Sequence, residues 1–171
     1  MKRLVVVIMV LAAGLVSNKS FAQGNHLNFG VGLSNWGIPV YLTYDFQIAN
    51  DWNIILGMSY QSDYENYHND KWRHNIFGLR GGVQYYFDRV VNLDDNFDLY
   101  GALSLGYFFW NTSYYDGPNN SSPYYQDGRG GIGLGVAAGA RWYFSPKWAL
   151  NLEFGGGTVL SGALLGLSVK M

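Results

Sequence analysis

The sequence predicts an all-β chain, an eight-stranded antiparallel up-and-down transmembrane β-barrel, and three observations carry that prediction. Apolar residues alternate with small or polar ones through eight stretches, the period-two signature of strands whose successive side chains face opposite sides. Charged residues make up 13% of the 171 residues, about half the usual soluble share of roughly 25%. Beyond the N-terminus no apolar run is long enough for a spanning helix. A charge-poor chain without such helices has the closed barrel as its membrane solution.

The N-terminus reads as a cleaved export signal over residues 1–22. Met1-Lys2-Arg3 is a basic start, Leu4–Val16 an apolar core, and Ser20-Phe21-Ala22 the small-residue cleavage site. The mature barrel domain then covers residues 23–171. Cleavage removes Lys2, Arg3 and Lys19 from the 11 basic residues, leaving 8 against 12 acidic ones. That balance does not suit nucleic acid. With 0 cysteines, disulfides, lipid anchoring through cysteine and thiolate metal sites are excluded.

The first strand is His26–Ser34, with Leu27, Phe29, Val31 and Leu33 on its apolar face. The second, about Ile38–Ile48, has Val40, Leu42, Tyr44, Phe46 and Ile48 opposite Tyr41, Thr43, Asp45 and Gln47. Ala49-Asn50-Asp51 is a tight turn by composition. The third strand, Trp52–Tyr60, gives way to a polar, tyrosine-rich loop at Gln61–Arg73. Alternation resumes in His74–Phe87, pauses in the acidic Asp88–Asn96 connection and continues in Phe97–Trp110. A second long loop spans Asn111–Arg129. The sixth and seventh strands, Ile132–Phe144 and Trp148–Phe154, fold about Ser145-Pro146-Lys147, and Gly162–Met171 is the eighth.

Alternation alone does not say whether the apolar face looks out to lipid or in to a ligand, but the strand ends do. One rim collects Trp52, Phe87, Phe97, Trp142, Phe144 and Trp148; the other collects Tyr60, Phe77, Tyr107, Phe109 and Phe154. Two aromatic girdles around an aliphatic band mark two lipid interfaces. Both tyrosine-rich loops fall at one end, with mostly short turns at the other. The stretch Gly139-Ala140-Arg141-Trp142-Tyr143-Phe144-Ser145-Pro146-Lys147-Trp148-Ala149-Leu150 is similar to the penultimate hairpin of the small OmpA/OmpX-type outer-membrane barrels, and the resemblance extends over the mature chain. It implies Sec-dependent export to the outer membrane of a Gram-negative-type bacterium, a monomer, and lipid and the outer-membrane assembly machinery as partners. Members usually end on Phe or Tyr, whereas this chain ends Val169-Lys170-Met171.

Parity places Asp45, Arg80, Asp98, Arg141, Glu153 and Lys170 on the lumen face. Lone buried charge is costly, and an eight-stranded interior is just wide enough for side chains to fill. A paired charge network plugging the lumen is therefore expected, with Arg141 and Glu153 as candidate partners. Tyr64, Tyr67, Trp72, Tyr114, Tyr115, Tyr124 and Tyr125 give the loops aromatic contact surface for an extracellular protein or surface ligand. No cofactor and no catalytic or metal site is expected. Gly133-x-Gly135-x-x-Ala138 lies inside a strand instead of between a strand and a helix. His68 and His74 lack metal-ligand spacing, and Asp94-Asp95 lacks the glycine and distal glutamate of a calcium loop. The alternatives are a lipid A-modifying enzyme using His74, which has no companion serine, and a narrow small-solute channel.

Overall fold

The computed structural model describes residues 24–34, 37–67, 70–87, 91, 94, 96–115, 125–157 and 161–171, with side chains at all of these except 64–67, 70–72, 114–115 and 125–127. The signal-peptide reading lies outside the described residues. Eight strands follow in order: β1 His26–Ser34, β2 Val40–Ala49, β3 Trp52–Tyr67, β4 Asp70–Tyr86, β5 Phe97–Tyr115, β6 Tyr125–Tyr143, β7 Trp148–Gly157 and β8 Gly162–Lys170. Each is antiparallel to its neighbours, and β1 pairs with β8 to close the barrel.

The barrel is inverted relative to a water-soluble protein. Among the described residues thirteen buried positions are polar or charged and eight are apolar or aromatic. The outward rows of Leu, Val, Ile and aromatic residues stay exposed, from Leu56 at 37% to Ile132 at 74%. That distribution fits a wall with lipid outside and a filled polar interior. Trp52, Phe87, Phe97, Trp142, Phe144 and Trp148 are all exposed on one rim. Trp52 packs on Tyr85 at 4.9 Å between ring centres, and Tyr85 on Phe87 at the same spacing.

Inside, two layers follow one another along the axis. Asp45, Asp98, Arg141 and Glu153 lie toward the end that carries the Ser145-Pro146-Lys147 turn. Toward the other end Ile76 and Phe108 pack together, with Trp110 against them. Between the layers a cavity of about 20 Å³ is lined by Tyr41, Thr43, Ser59, Arg80, Phe108 and Leu164, among others, room for about one water molecule.

Closure depends on close backbone approach. Gly30 of β1 faces Gly166 of β8. A Cβ on Gly30 would stand 2.2 Å from the Leu165 carbonyl oxygen, and one on Gly166 would stand 2.3 Å from that of Phe29. Turn chemistry is as the composition demands: Ser145 Oγ accepts the Trp148 backbone N–H at 3.0 Å, holding the β6–β7 reversal.

The structure corrects the two long loops. Gln61–Arg73 is mostly strand, since β3 runs to Tyr67 and β4 begins at Asp70, paired through Tyr67↔Asp70. Asn111–Arg129 likewise shrinks, because β5 reaches Tyr115 and β6 starts at Tyr125. Beyond the lipid both faces of a strand meet water, so the apolar alternation that reports a wall disappears although pairing continues. The second strand begins at Val40, two residues later than expected.

Candidate functional site

Arg141 is fully buried near the middle of the polar layer. One arm of its guanidinium donates to Asp45 Oδ2 and the other to the Tyr86 hydroxyl. The second arm also lies 4.0 Å from Asp98 Oδ2. The Tyr100 ring stacks on the guanidinium, 4.8 Å from its carbon to the ring centre, and so adds cation–π attraction. Asp45 is further held by Asn28 Nδ2, which donates to it at 2.9 Å, while Asn28 Oδ1 accepts from Ser168.

A second pair stands beside the first. Arg80 Nη1 donates to Glu153 Oε1 at 3.1 Å, and the Tyr100 hydroxyl is 3.1 Å from Glu153 Oε2 and 2.8 Å from Asn151 Oδ1. The expected Arg141–Glu153 partnership is therefore corrected. Cross-strand register sets Arg141 opposite Asn151 and Glu153 opposite Gly139, and closing the barrel brings Asp45 of β2 to Arg141 from across the lumen. Gly139 makes room for Tyr100, whose ring atoms lie as close as 2.3 Å to where a Cβ would stand.

Toward the mouth, the Tyr143 hydroxyl donates to Asp98 Oδ2 at 2.6 Å and lies 2.7 Å from His26 Nε2. With the tyrosine O–H directed at the carboxylate, His26 Nε2–H is the donor of the second contact, to the Tyr143 oxygen. Lys170 Nζ sits 5.8 Å from the centre of the Tyr143 ring. Asp98, Tyr143 and Lys170, with Asn96 and Ser145, line an open mouth of about 390 Å³. Sequence reasoning placed the charges on the lumen face but did not single out Asn28, Tyr86, Tyr100 and Tyr143, which bind them, or Asn151, which holds the Tyr100 hydroxyl. Their parity on the lumen face was the available signal.

The other expected positions separate. Tyr64, Tyr67, Trp72, Tyr114, Tyr115 and Tyr125 stand on the outward ends of β3 to β6, and Tyr124 lies outside the described residues, as do His68 and Asp95. His74 Nδ1 is 3.0 Å from Thr112 Oγ1, and Asp63 is the residue opposite His74 on β3. Asp94 Oδ1 accepts from the Asn96 backbone and side chain at 3.2 and 3.1 Å, which spends it on its own turn. Gly133 and Gly135 sit inside β6, followed by more strand.

β3 and β6 outrun their neighbours. β2 leaves β3 at the Val40↔Tyr60 pair, and β7 leaves β6 at Gly157↔Gly135. The outward ends of β3, β4, β5 and β6 thus form a four-stranded sheet that continues past the wall on one side. The β1–β2 turn leans on its β3 edge, where Ser34 Oγ donates to Gln61 Oε1 at 3.0 Å.

No protein-family model and no curated protein matches the sequence. Solved structures do match. Neisserial surface protein A, NspA, aligns with a TM-score of 0.58 at 16% identity, over 86% of this chain and 94% of its own. The N-terminal β-barrel domain of Pseudomonas aeruginosa OprF gives 0.52 at 15%, over 87% and 98%. Ail, the attachment invasion locus protein of Yersinia pestis, gives 0.50 at 14%, over 87% and 99%. The likeness is one of fold: the chain has the eight-stranded barrel of the small OmpA/OmpX-type outer-membrane proteins.

Proposed function

We propose that this chain is an integral outer-membrane protein, closed to solutes along its axis, whose projecting sheet recognises a partner at the cell surface. The observation that carries the recognition half is the mismatch in strand length. β3 to β6 hold 16 to 19 residues each, whereas β1, β2, β7 and β8 hold 9 or 10. Crossing the lipid takes about 9–11 tilted residues, so the surplus on β3 to β6 serves something beyond the membrane. The surplus is rich in tyrosine, a residue that supplies contact area at low entropic cost. In this orientation the Ser145-Pro146-Lys147 turn faces the periplasm.

The test is to shorten both hairpins to tight turns, removing 62–74 and 112–128, and to compare surface binding by whole cells expressing either form. The trimmed barrel should assemble with the heat-dependent gel mobility of the full protein and lose adhesion to matrix or host-cell surfaces. Adhesion that survives trimming overturns the recognition reading.

The closed axis rests on the paired charges and the Ile76–Phe108 layer above them. A conducting path would have to hydrate that apolar layer and part the Arg141–Asp45 contact. Pure protein in planar bilayers should accordingly show no steady, ion-selective current, and a steady current would refute the plug. A catalytic role is not proposed: the His74 nitrogen facing β5 is engaged by a threonine hydroxyl at 3.0 Å, and the deeper carboxylates are held in the lumen network.

A further inference from the structure

The mouth beside the Ser145-Pro146-Lys147 turn is a cup and not a passage, because the Arg141 layer closes it below. Its volume of about 390 Å³ falls in the range of small-molecule sites. Around the rim, Asn96 and Asp98 stand at the start of β5, Ser145 in the β6–β7 turn and Lys170 at the end of β8. Backbone bonds brace this frame. The Tyr143 N–H donates to the Asn96 carbonyl at 2.8 Å, and the Lys170 N–H to the Lys147 carbonyl at 2.7 Å.

Hydrogen-bonding capacity is divided between the two sides of the cup. Asp98 is 8% exposed. Its Oδ2 takes the Tyr143 hydroxyl and faces Arg141, whereas Oδ1 has no hydrogen bond to any described residue. A carboxylate oxygen so far from bulk water gains most from a charged N–H donor. Asn96 gives its side-chain N–H to Asp94 Oδ1 at 3.1 Å, so the atom it offers the cup is its amide oxygen. Farther round, Ser145 Oγ accepts the Trp148 N–H and keeps its own hydrogen to donate. Lys170 adds an ammonium, with Nζ 5.8 Å from the centre of the Tyr143 ring. Lys170 has a further contact of its own, and what it brings to the cup is positive charge spread over three N–H donors. Acceptors thus line the β5 side, and donors the side of the turn and β8.

We infer that this cup binds a small zwitterion, a free amino acid or a short peptide. Its ammonium sits on Asp98 Oδ1 and the Asn96 amide oxygen, and its carboxylate lies toward Ser145 and Lys170. A ligand with only a positive charge would be opposed by Lys170, and one with only a negative charge by Asp98. A zwitterion complements both. The proposed orientation opens the cup on the periplasm, while the binding chemistry itself depends neither on that orientation nor on recognition by the projecting sheet.

Isothermal titration of the folded full-length barrel in detergent micelles tests it, with L-alanine and L-alanyl-L-alanine as the two probes. At least one should saturate a single site, and the tighter of the two identifies whether a free amino acid or a peptide spans the gap. N-acetyl-alanyl-alanine lacks the ammonium and alanyl-alanine amide lacks the carboxylate; each should bind at least tenfold more weakly than the parent peptide or amino acid. D98N should weaken the zwitterion at least tenfold. N96A, at an exposed position, should weaken it while the heat-dependent gel mobility stays unchanged, which separates loss of binding from loss of fold. Absence of saturable binding by both probes overturns the inference. So does equal binding of the acetylated peptide, or wild-type affinity in folded D98N or N96A.

Discussion

Replacing Arg141 with methionine should cost the barrel about 3–5 kcal/mol, the usual penalty for breaking a buried ion pair from one side. The loss is large because the guanidinium serves several groups at once. It donates to Asp45 and Tyr86, faces Asp98 at 4.0 Å and is stacked by Tyr100. Methionine fills part of the volume and satisfies none of these, leaving the Asp45 carboxyl without its cation at 1% exposure. Denaturant unfolding from lipid vesicles, followed by tryptophan fluorescence, reads the change. The double variant R141M/D45L removes both buried charges and should recover much of the loss, since a pair replaced by apolar groups of similar volume is often neutral. A loss below about 1 kcal/mol in R141M would show that water or a neighbouring donor compensates Asp45, and the network would not be the lumen's organising feature.

A second substitution should act on closure. Gly30→Val is expected to abolish the closed barrel or to cost more than about 4 kcal/mol, the range reserved for a named structural clash. The new Cβ would sit 2.2 Å from the Leu165 oxygen and 2.5 Å from the Gly166 Cα. Both are backbone atoms of β8, so relief requires β1 and β8 to separate at the seam that closes the sheet. Loss of heat-dependent mobility together with an open, protease-sensitive β1 is the readout. Gly156→Ala is the matched control. Nothing lies within 4 Å of its Cβ position, so it should stay within about 0.5 kcal/mol of wild type. If both glycine variants behave alike, the seam is not the constraint described.

These two predictions draw on different levels of the sequence-to-structure chain. That Gly30 and Gly166 sit on lumen-facing parity is readable from alternation. That they face each other is fixed only when the first and last strands meet, 136 positions apart, and nothing local specifies that pair. Arg141 shows the same division. Its inward direction follows from its place between Ala140 and Trp142 in a strict alternation, whereas its partner does not. The hairpin offered Glu153 as the near carboxylate. The folded barrel chose Asp45, because neighbours across a strand pair and neighbours across a lumen are different sets.

The misjudged loops have a related cause. Period-two alternation is a report on two different solvents, lipid on one face and a packed interior on the other. Gln61–Tyr67 and Tyr125–Arg129 keep their backbone pairing past the end of the lipid-facing band, so the signal fades while the strand goes on. Tyrosine among polar residues has the composition of a loop, although tyrosine is itself a strand former.

By itself, then, the sequence determined the number of strands, which face of each meets lipid, the two aromatic bands and the inward set of charges. Each of those follows from side-chain periodicity within a single strand. Only the tertiary structure decided who pairs with whom inside the lumen, and where the wall ends and the projecting sheet begins. Those depend on register and closure, which bring together residues that no local pattern connects.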